Sequence, residues 1–445
     1  MIFSLNLVLL NNLNKDKIMK IKVQKLTDSV SPFAGISFVN ALFNQSGLSK
    51  LIDTELGMRV QTVGYQYSEI IRNLSNVFIS GGDCIEDISA HLKDHLEAIP
   101  NNKVPSPDTI LRAIKELSVE NTPFTSTSDN IYDFNINTNL NRLNIKSLVL
   151  TKQLEPDKSY DFDYDNQVLP NKKYDAKKTY KKNKGYVPGI ATIDNKIVYI
   201  ENRDGNANVK FEQAATLKRS YELLLSEKIK VNRSRMDAGS YSKEIIDVVD
   251  KYSNLFYIRA NKSANLFEQI REVNDWQSVE INYQNYEVTS IPFVQFYKER
   301  NYRLVIMREK TGDNQVDVFT QDAYKYRSIL TSDWQSTEKE VIEYYNQRGT
   351  SEKIFDVMNN DFGWKHLPFS FLNQNGAFMI IMAMIKNFYN YVLQKVSGIF
   401  TNIKPTTRLK RFIFRFIAVA GKWKYQGRQW VLKLFTRQPY ELLEI

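Results

Sequence analysis

The segment Tyr160-Asp161-Phe162-Asp163-Tyr164-Asp165 constrains this chain more than any other stretch. Strict alternation predicts a strand with one aromatic face and one face carrying three aspartates, because successive side chains point to opposite sides. Aligned like charges repel and aspartate is disfavoured in strands, so a purely structural strand avoids this pattern. It calls for cations, which a divalent metal would supply; an exposed acidic edge strand is the competing explanation.

The surroundings predict an α/β fold. Short β-like runs at Lys146 to Thr151, Ser159 to Asp165, Gly189 to Ile193 and Lys196 to Glu201 include a hairpin turned at Asp194-Asn195. A helix from Phe211 to Leu225, a strand from Val231 to Met236, a helix from Ser242 to Lys251 and a strand from Leu255 to Ala260 follow. Such alternation predicts a mixed sheet flanked by helices, over residues 146–265.

Apolar residues at three-and-four spacing before it predict an all-helical DNA-binding domain over residues 31–120, behind an N-terminal extension, 1–30. Ser106 and Pro107 mark a helix start, and Arg112 and Lys115 face outward on that helix as in a recognition helix. The Asn-, Thr- and Ser-rich residues 121–145 read as a linker. Residues 266–335 read as a separate all-β insertion, residues 336–396 as a long helical return to the core, and residues 397–445 as a basic C-terminal region. Trp276, near the insertion, reads as a core residue rather than a stacking platform for an unpaired base.

Charge and cysteine content narrow the function. Sixty Lys and Arg against 50 Asp and Glu give a net charge of +10, which favours a polyanionic partner. The lone Cys84 excludes a disulfide framework and a thiolate-rich zinc site, which suits a reducing compartment. The apolar run Ala377 to Val392 is interrupted by Lys386 and Asn387, so no membrane partner is expected.

Two further carboxylates stand where chemistry is plausible. Asp237, in Arg235-Met236-Asp237-Ala238-Gly239, ends an apolar strand, where open α/β sheets bind ligands; a helix N-cap is the alternative role. Tyr345, Arg348 and Glu352 share a helix face, although Arg348 and Glu352 also suit a plain surface ion pair. The run Lys172, Lys173, Lys177, Lys178, Lys181, Lys182 and Lys184, interleaved with Tyr174, Tyr180 and Tyr186, reads as a DNA-binding surface or else a solvated loop.

Together these residues resemble the Asp-Asp-Glu transposases of bacterial insertion sequences. Tyr345, Arg348 and Glu352 match the Tyr-x2-Arg-x3-Glu-x6-Lys signature of the insertion sequence 4-like group, with Asn359 in place of its lysine. The segments around Asp165 and Asp237 and the polar turn Glu201 to Asn208 are similar to the insertion sequence 1380 branch, and the likeness spans roughly residues 30 to 435. The resemblance implies a ribonuclease-H-like core in which Asp165, Asp237 and Glu352 are catalytic and hold two Mg²⁺, with Mn²⁺ as substitute. Asp163 is the register alternative to Asp165, and Tyr345 and Arg348 would contact phosphates. It further implies double-stranded DNA partners, namely terminal inverted repeats and target, a homodimer in the DNA complex, and a cytoplasmic, nucleoid-associated location. The alternatives are a nuclease of the same fold without integration activity, and a non-catalytic DNA-binding remnant suggested by Asn359.

Overall fold

The computed structural model describes residues 22–24, 29–60, 63–261, 264–293, 296, 300–310 and 324–443. The three-and-four apolar spacing forms helices α1 (Ile36–Gln45), α2 (Leu48–Leu56), α3 (Tyr67–Ile79), α4 (Lys93–Glu97) and α5 (Pro107–Glu116). Helix α5 starts as expected: the Thr109 amide donates to Ser106 Oγ, and Pro107 occupies the first turn. It buries Ile110, Ala113 and Ile114, leaving Arg112 and Lys115 on its outward side.

Next come β1 (Thr122–Thr125), β2 (Ile131–Asn135), α6 (Thr138–Leu150), β3 (Ser159–Asn166), β4 (Leu169–Pro170), β5 (Lys177–Lys178), β6 (Lys184–Tyr186), β7 (Gly189–Ile193) and β8 (Lys196–Arg203). They are followed by α7 (Gln213–Ser226), β9 (Lys230–Met236), α8 (Lys243–Tyr252), β10 (Ser253–Arg259), α9 (Ala264–Arg271), β11 (Gln277–Ile281), β12 (Gln284–Phe293), β13 (Tyr302–Lys310) and β14 (Tyr324–Thr331). The chain ends through α10 (Glu338–Asn346), α11 (Thr350–Asp361), α12 (Leu372–Ser397) and a ribbon of β15 (Ala420–Gln426) and β16 (Gln429–Phe435).

One eleven-stranded mixed sheet organises the molecule, in the order β1-β2-β8-β7-β3-β9-β10-β14-β13-β12-β11. Strand β3 lies near its centre, antiparallel to β7 and parallel to β9, which is in turn parallel to β10. The β9-to-β10 crossover runs through α8, as parallel neighbours require. Strands β11–β14 are not the separate all-β insertion predicted over residues 266–335. Strand β14 pairs with β10 through Tyr257↔Thr331, Ile258↔Leu330 and Arg259↔Ile329, which satisfies an otherwise open edge, and α9 precedes the block. Trp276 packs there as a structural residue, its Nε1 donating to the Val273 carbonyl and its ring lying 3.8 Å from the Arg308 guanidinium.

The predicted linker over residues 121–145 and the predicted strand Lys146 to Thr151 are both corrected. They form the β1–β2 hairpin and the single helix α6. Asparagines usually mark loops, but here Asn137, Asn141 and Asn144 recur at helical spacing and are at most 1% exposed. Asn137 caps α6 by accepting from the Leu140 amide at 3.1 Å. Asn141 donates to the Ile200 carbonyl at 2.8 Å and accepts from the Ile200 amide at 2.9 Å. From the other side, Asn387 of α12 donates to the Ile197 carbonyl and accepts from its amide. The carboxamides thus stand in for a neighbouring strand along β8, which β2 covers only at Asn202 and Arg203.

Helix α12 is long and apolar enough to cross a bilayer, yet 94% of its most apolar window is buried inside this fold. The two polar interruptions of its run are structural: Asn387 serves β8, and the buried Lys386 ammonium donates to the backbone and side chain of Asn195. The same core takes in α1–α3, α5 and α12, so the N-terminal helices share a core with the rest of the chain. The helical return predicted over residues 336–396 is divided into α10, α11 and α12, one break falling at Gly363, whose φ of +73° suits glycine. Replacing Asn387 by leucine leaves the Ile197 amide without its partner. We expect a loss of about 1–3 kcal/mol, read from the urea midpoint; an unchanged midpoint removes this role from Asn387.

Candidate active site

Strand β9 answers the acidic face of β3 with arginines. A β-bulge between Tyr160 and Asp161 shifts the register so that Asp161 lies opposite Arg233 and Asp163 opposite Arg235. Arg233 Nε donates to Asp161 Oδ1 at 2.9 Å, and Arg235 holds both oxygens of Asp163 at 2.7 Å. The Tyr344 ring lies 3.8 Å from the Arg233 guanidinium and 4.6 Å from that of Arg235. Arg235 also donates to the Tyr344 carbonyl, which ties α10 to the sheet.

Two of the three aspartates are therefore neutralised within the fold. Asp163 is 3% exposed; burial pushes its pKa up while its paired guanidinium opposes the rise. Both oxygens of Asp163, the register alternative to Asp165, are taken by Arg235. Arg233, Arg235 and Tyr344 are what sequence reasoning missed. The signal was present, since Arg233-x-Arg235-x-Asp237 repeats the period of Asp161-x-Asp163-x-Asp165, but the register between the strands was not.

One step further along, the ladder changes character. The next residues are Asp165 and Asp237, and two carboxylates line one cavity of about 630 Å³. Asp165 Oδ1 accepts from the Asn166 amide at 2.8 Å, and Oδ2 accepts from Arg348 Nη1 at 2.9 Å. Burial raises the Asp165 pKa, Arg348 opposes this, and the negative charge of Asp237 adds to the rise. Asp237 also caps the short turn Ala238–Ser240 by accepting from the Gly239 amide at 2.9 Å, so its capping and cavity-lining roles coexist. The polar turn at Gly205 to Val209 forms another part of the wall.

The signature residues are divided. Arg348 reaches Asp165, and both Asp165 and Asp237 hold its guanidinium firmly protonated. Tyr345 is 8% exposed and donates to the Met236 carbonyl at 3.2 Å, so it braces the strand end before Asp237. Glu352 lies beyond the turn Gln347–Gly349, exposed, on a second cavity of about 640 Å³ with Asp356, Asp361 and Lys386. The structure thus brings Asp165 and Asp237 together but not Glu352. Among the described residues no group of three His, Cys, Asp or Glu is placed to hold a metal ion.

The pair does fit a hard cation. Mg²⁺ takes one or two protein carboxylates and completes its shell with water and phosphate oxygens. The mutual repulsion of Asp165 and Asp237 is what such an ion relieves. The expected set of three ligands for two ions is not assembled in this arrangement.

Of the lysines expected to bind DNA, Lys178 lines this cavity together with Thr179 and Tyr180. Lys172, Lys177, Lys181 and Lys182 are exposed and Lys173 is half-buried. Tyr180 is 66% exposed, with Lys181 Nζ 5.9 Å from its ring. Tyr186 does not belong to this surface: it is buried and donates to Asp175.

The family described as Transposase DDE domain group 1 matches residues 13–443. The chain belongs to this family. It is a DNA transposase, an enzyme class that cuts DNA and joins strands. Among solved structures, the piggyBac transposase synaptic complex with hairpin DNA, determined by cryo-electron microscopy, is 13% identical. That similarity covers 88% of this transposase and 80% of the other chain, at a TM-score of 0.41. A search of curated proteins returns no match.

The ladder of this transposase predicts unequal outcomes for one substitution at two neighbouring sites. Asp163→Asn strands the buried Arg235 and costs about 3–5 kcal/mol. Asp165→Asn weakens the pairing with Arg348 but also removes the repulsion from Asp237, so the two changes offset and stability moves by about 1 kcal/mol or less. Equal melting temperatures for the two variants contradict this division of roles.

Proposed function

We propose that this transposase mobilises an insertion sequence by cutting its ends and joining the freed 3′-hydroxyl to target DNA, with Asp165 and Asp237 at the centre of the chemistry. The single observation that carries this reading is the place where the Asp–Arg ladder gives way to two facing carboxylates under a basic loop. The order β8-β7-β3-β9-β10, with antiparallel and then parallel pairing from β3 outward, supports a ribonuclease-H-like core. Membership of the insertion sequence 4-like group rests on the Tyr345, Arg348 and Glu352 spacing, and that of its 1380 branch on the segments around Asp165 and Asp237 and the turn Glu201 to Asn208. A homodimer on paired ends in the bacterial cytoplasm completes the reading.

Asp165 and Asp237 would hold Mg²⁺, and Glu352 is the third ligand by its place in the signature. Bound divalent ions lower the pKa of an attacking water and stabilise the leaving oxygen of a phosphodiester. Arg348, forked and permanently charged beside Asp165, suits the phosphate next to the scissile bond. Lys178 and Tyr180 offer that strand a cation and a stacking face. Tyr345, by holding the Met236 carbonyl, fixes the direction from which Asp237 enters the cavity. Strand transfer needs no second centre, because only the nucleophile changes from water to a 3′-hydroxyl.

In a nicking assay on transposon ends, Asp237→Ala and Glu352→Gln are each expected to lower Mg²⁺-dependent cleavage at least about 100-fold. Gel-shift affinity for the same ends stays close to that of the parent. A carboxylate whose loss leaves nicking intact is not part of the centre. Chelation by EDTA is expected to stop cleavage and Mn²⁺ to restore it; cleavage that persists in EDTA rules out the metal.

A further inference from the structure

We propose that the β15–β16 ribbon is a second DNA-contacting element, a two-stranded arm that enters the major groove of duplex DNA away from the carboxylate cavity. The proposal rests on the reading above that this chain acts on DNA. Its evidence is separate: residues 420–438 carry Lys422, Lys424, Arg428, Lys433 and Arg437 and not one acidic residue. Where a carboxylate would ordinarily interleave, the ribbon offers none.

Register assigns its two faces. Gly421↔Leu434 and Trp423↔Leu432 share one face, and Lys422↔Lys433 and Lys424↔Val431 share the other. The first face is already used. Leu432 and Leu434 pack on the helical core, and Ser31 and Gly421 exchange two backbone hydrogen bonds at 2.9 Å. A Cβ at Gly421 would meet that of Ala34 at 2.7 Å, so glycine is what lets the strand dock this closely. The ribbon is therefore a fixed arm.

The second face carries Lys422, Lys424 and Lys433, of which Lys424 and Lys433 are exposed. Arg428 is exposed as well. At the tip, on the same face as Gly421 and Trp423, Tyr425 and Trp430 pack ring to ring at 5.4 Å while remaining 61% and 50% exposed. Exposed cations with no carboxylate among them match the phosphates that flank a groove of duplex DNA. A two-stranded ribbon has the width the major groove admits. A second copy of this chain is the poorer occupant, because a net charge of +10 opposes the approach of one basic surface to another.

The test uses the full chain in EDTA, so that no cleavage intervenes, with a short mixed-sequence duplex titrated by fluorescence anisotropy at several salt concentrations. The triple variant Lys424→Ala, Arg428→Ala, Lys433→Ala is expected to fold with an unchanged melting temperature. It should bind about tenfold or more weakly, and its log K against log[salt] slope should shrink by about 2 to 3, near 0.9 for each phosphate left without its cation. Tyr425→Ala, which removes an uncharged contact at the tip, should weaken binding while leaving the slope unchanged. Equal affinity and slope in the triple variant overturn the proposal and leave the proposed function standing. A parent protein that binds no duplex overturns the proposed function as well. Loss of self-association with DNA binding intact assigns the ribbon to a dimer interface and overturns the proposal.

Discussion

The pairing of β3 with β9 sets the terms for everything around it. Two parallel strands at the centre of a large sheet bury charge that neither can bury alone. Asp161 and Asp163 repel each other and desolvate poorly; opposite Arg233 and Arg235 they become paired rungs. Tyr344 lies over both guanidinium groups and brings α10 down onto the sheet. The C-terminal ends of both strands are thereby held side by side, and Asp165 and Asp237 face one cavity without an arginine rung of their own. The chemistry sits where neutralisation within the sheet stops.

What neutralises Asp165 comes from outside the sheet. Arg348 supplies the charge from the turn after α10, and Tyr345 anchors the same helix end to the Met236 carbonyl. Both belong to the signature that includes Glu352, yet Glu352 faces the other cavity, beyond the turn Gln347–Gly349. A helix face carries i, i+3 and i+7 together only while the helix is unbroken. The change of helix type after Asn346 separates Glu352 from its two companions.

The edges of the sheet follow a related logic, in which exposed backbone groups recruit whatever can pair with them. Strand β10 recruits β14 and so draws the β-rich block into the central sheet. Strand β8 recruits carboxamides from α6 and α12. These bonds make the N-terminal half and the long apolar helix parts of one packed unit, and they give the asparagines of the chain a structural role.

The acidic strand, the mixed α/β character, the N-terminal helices and the Ser106 cap were legible in the sequence, because alternation, apolar spacing and capping are local signals. So was the basic loop that reaches the cavity at Lys178 and Tyr180. Residues 122–150 were not, since buried asparagines that serve a distant strand look the same as those of a loop. Nor was the division of labour among three identical aspartates. One β-bulge beside Asp161 decides it: without that shift, Asn232 rather than Arg233 would stand opposite Asp161. Local sequence sets which face of a strand a side chain takes, whereas the partner it meets there depends on registry between segments some 70 residues apart, which only tertiary packing settles.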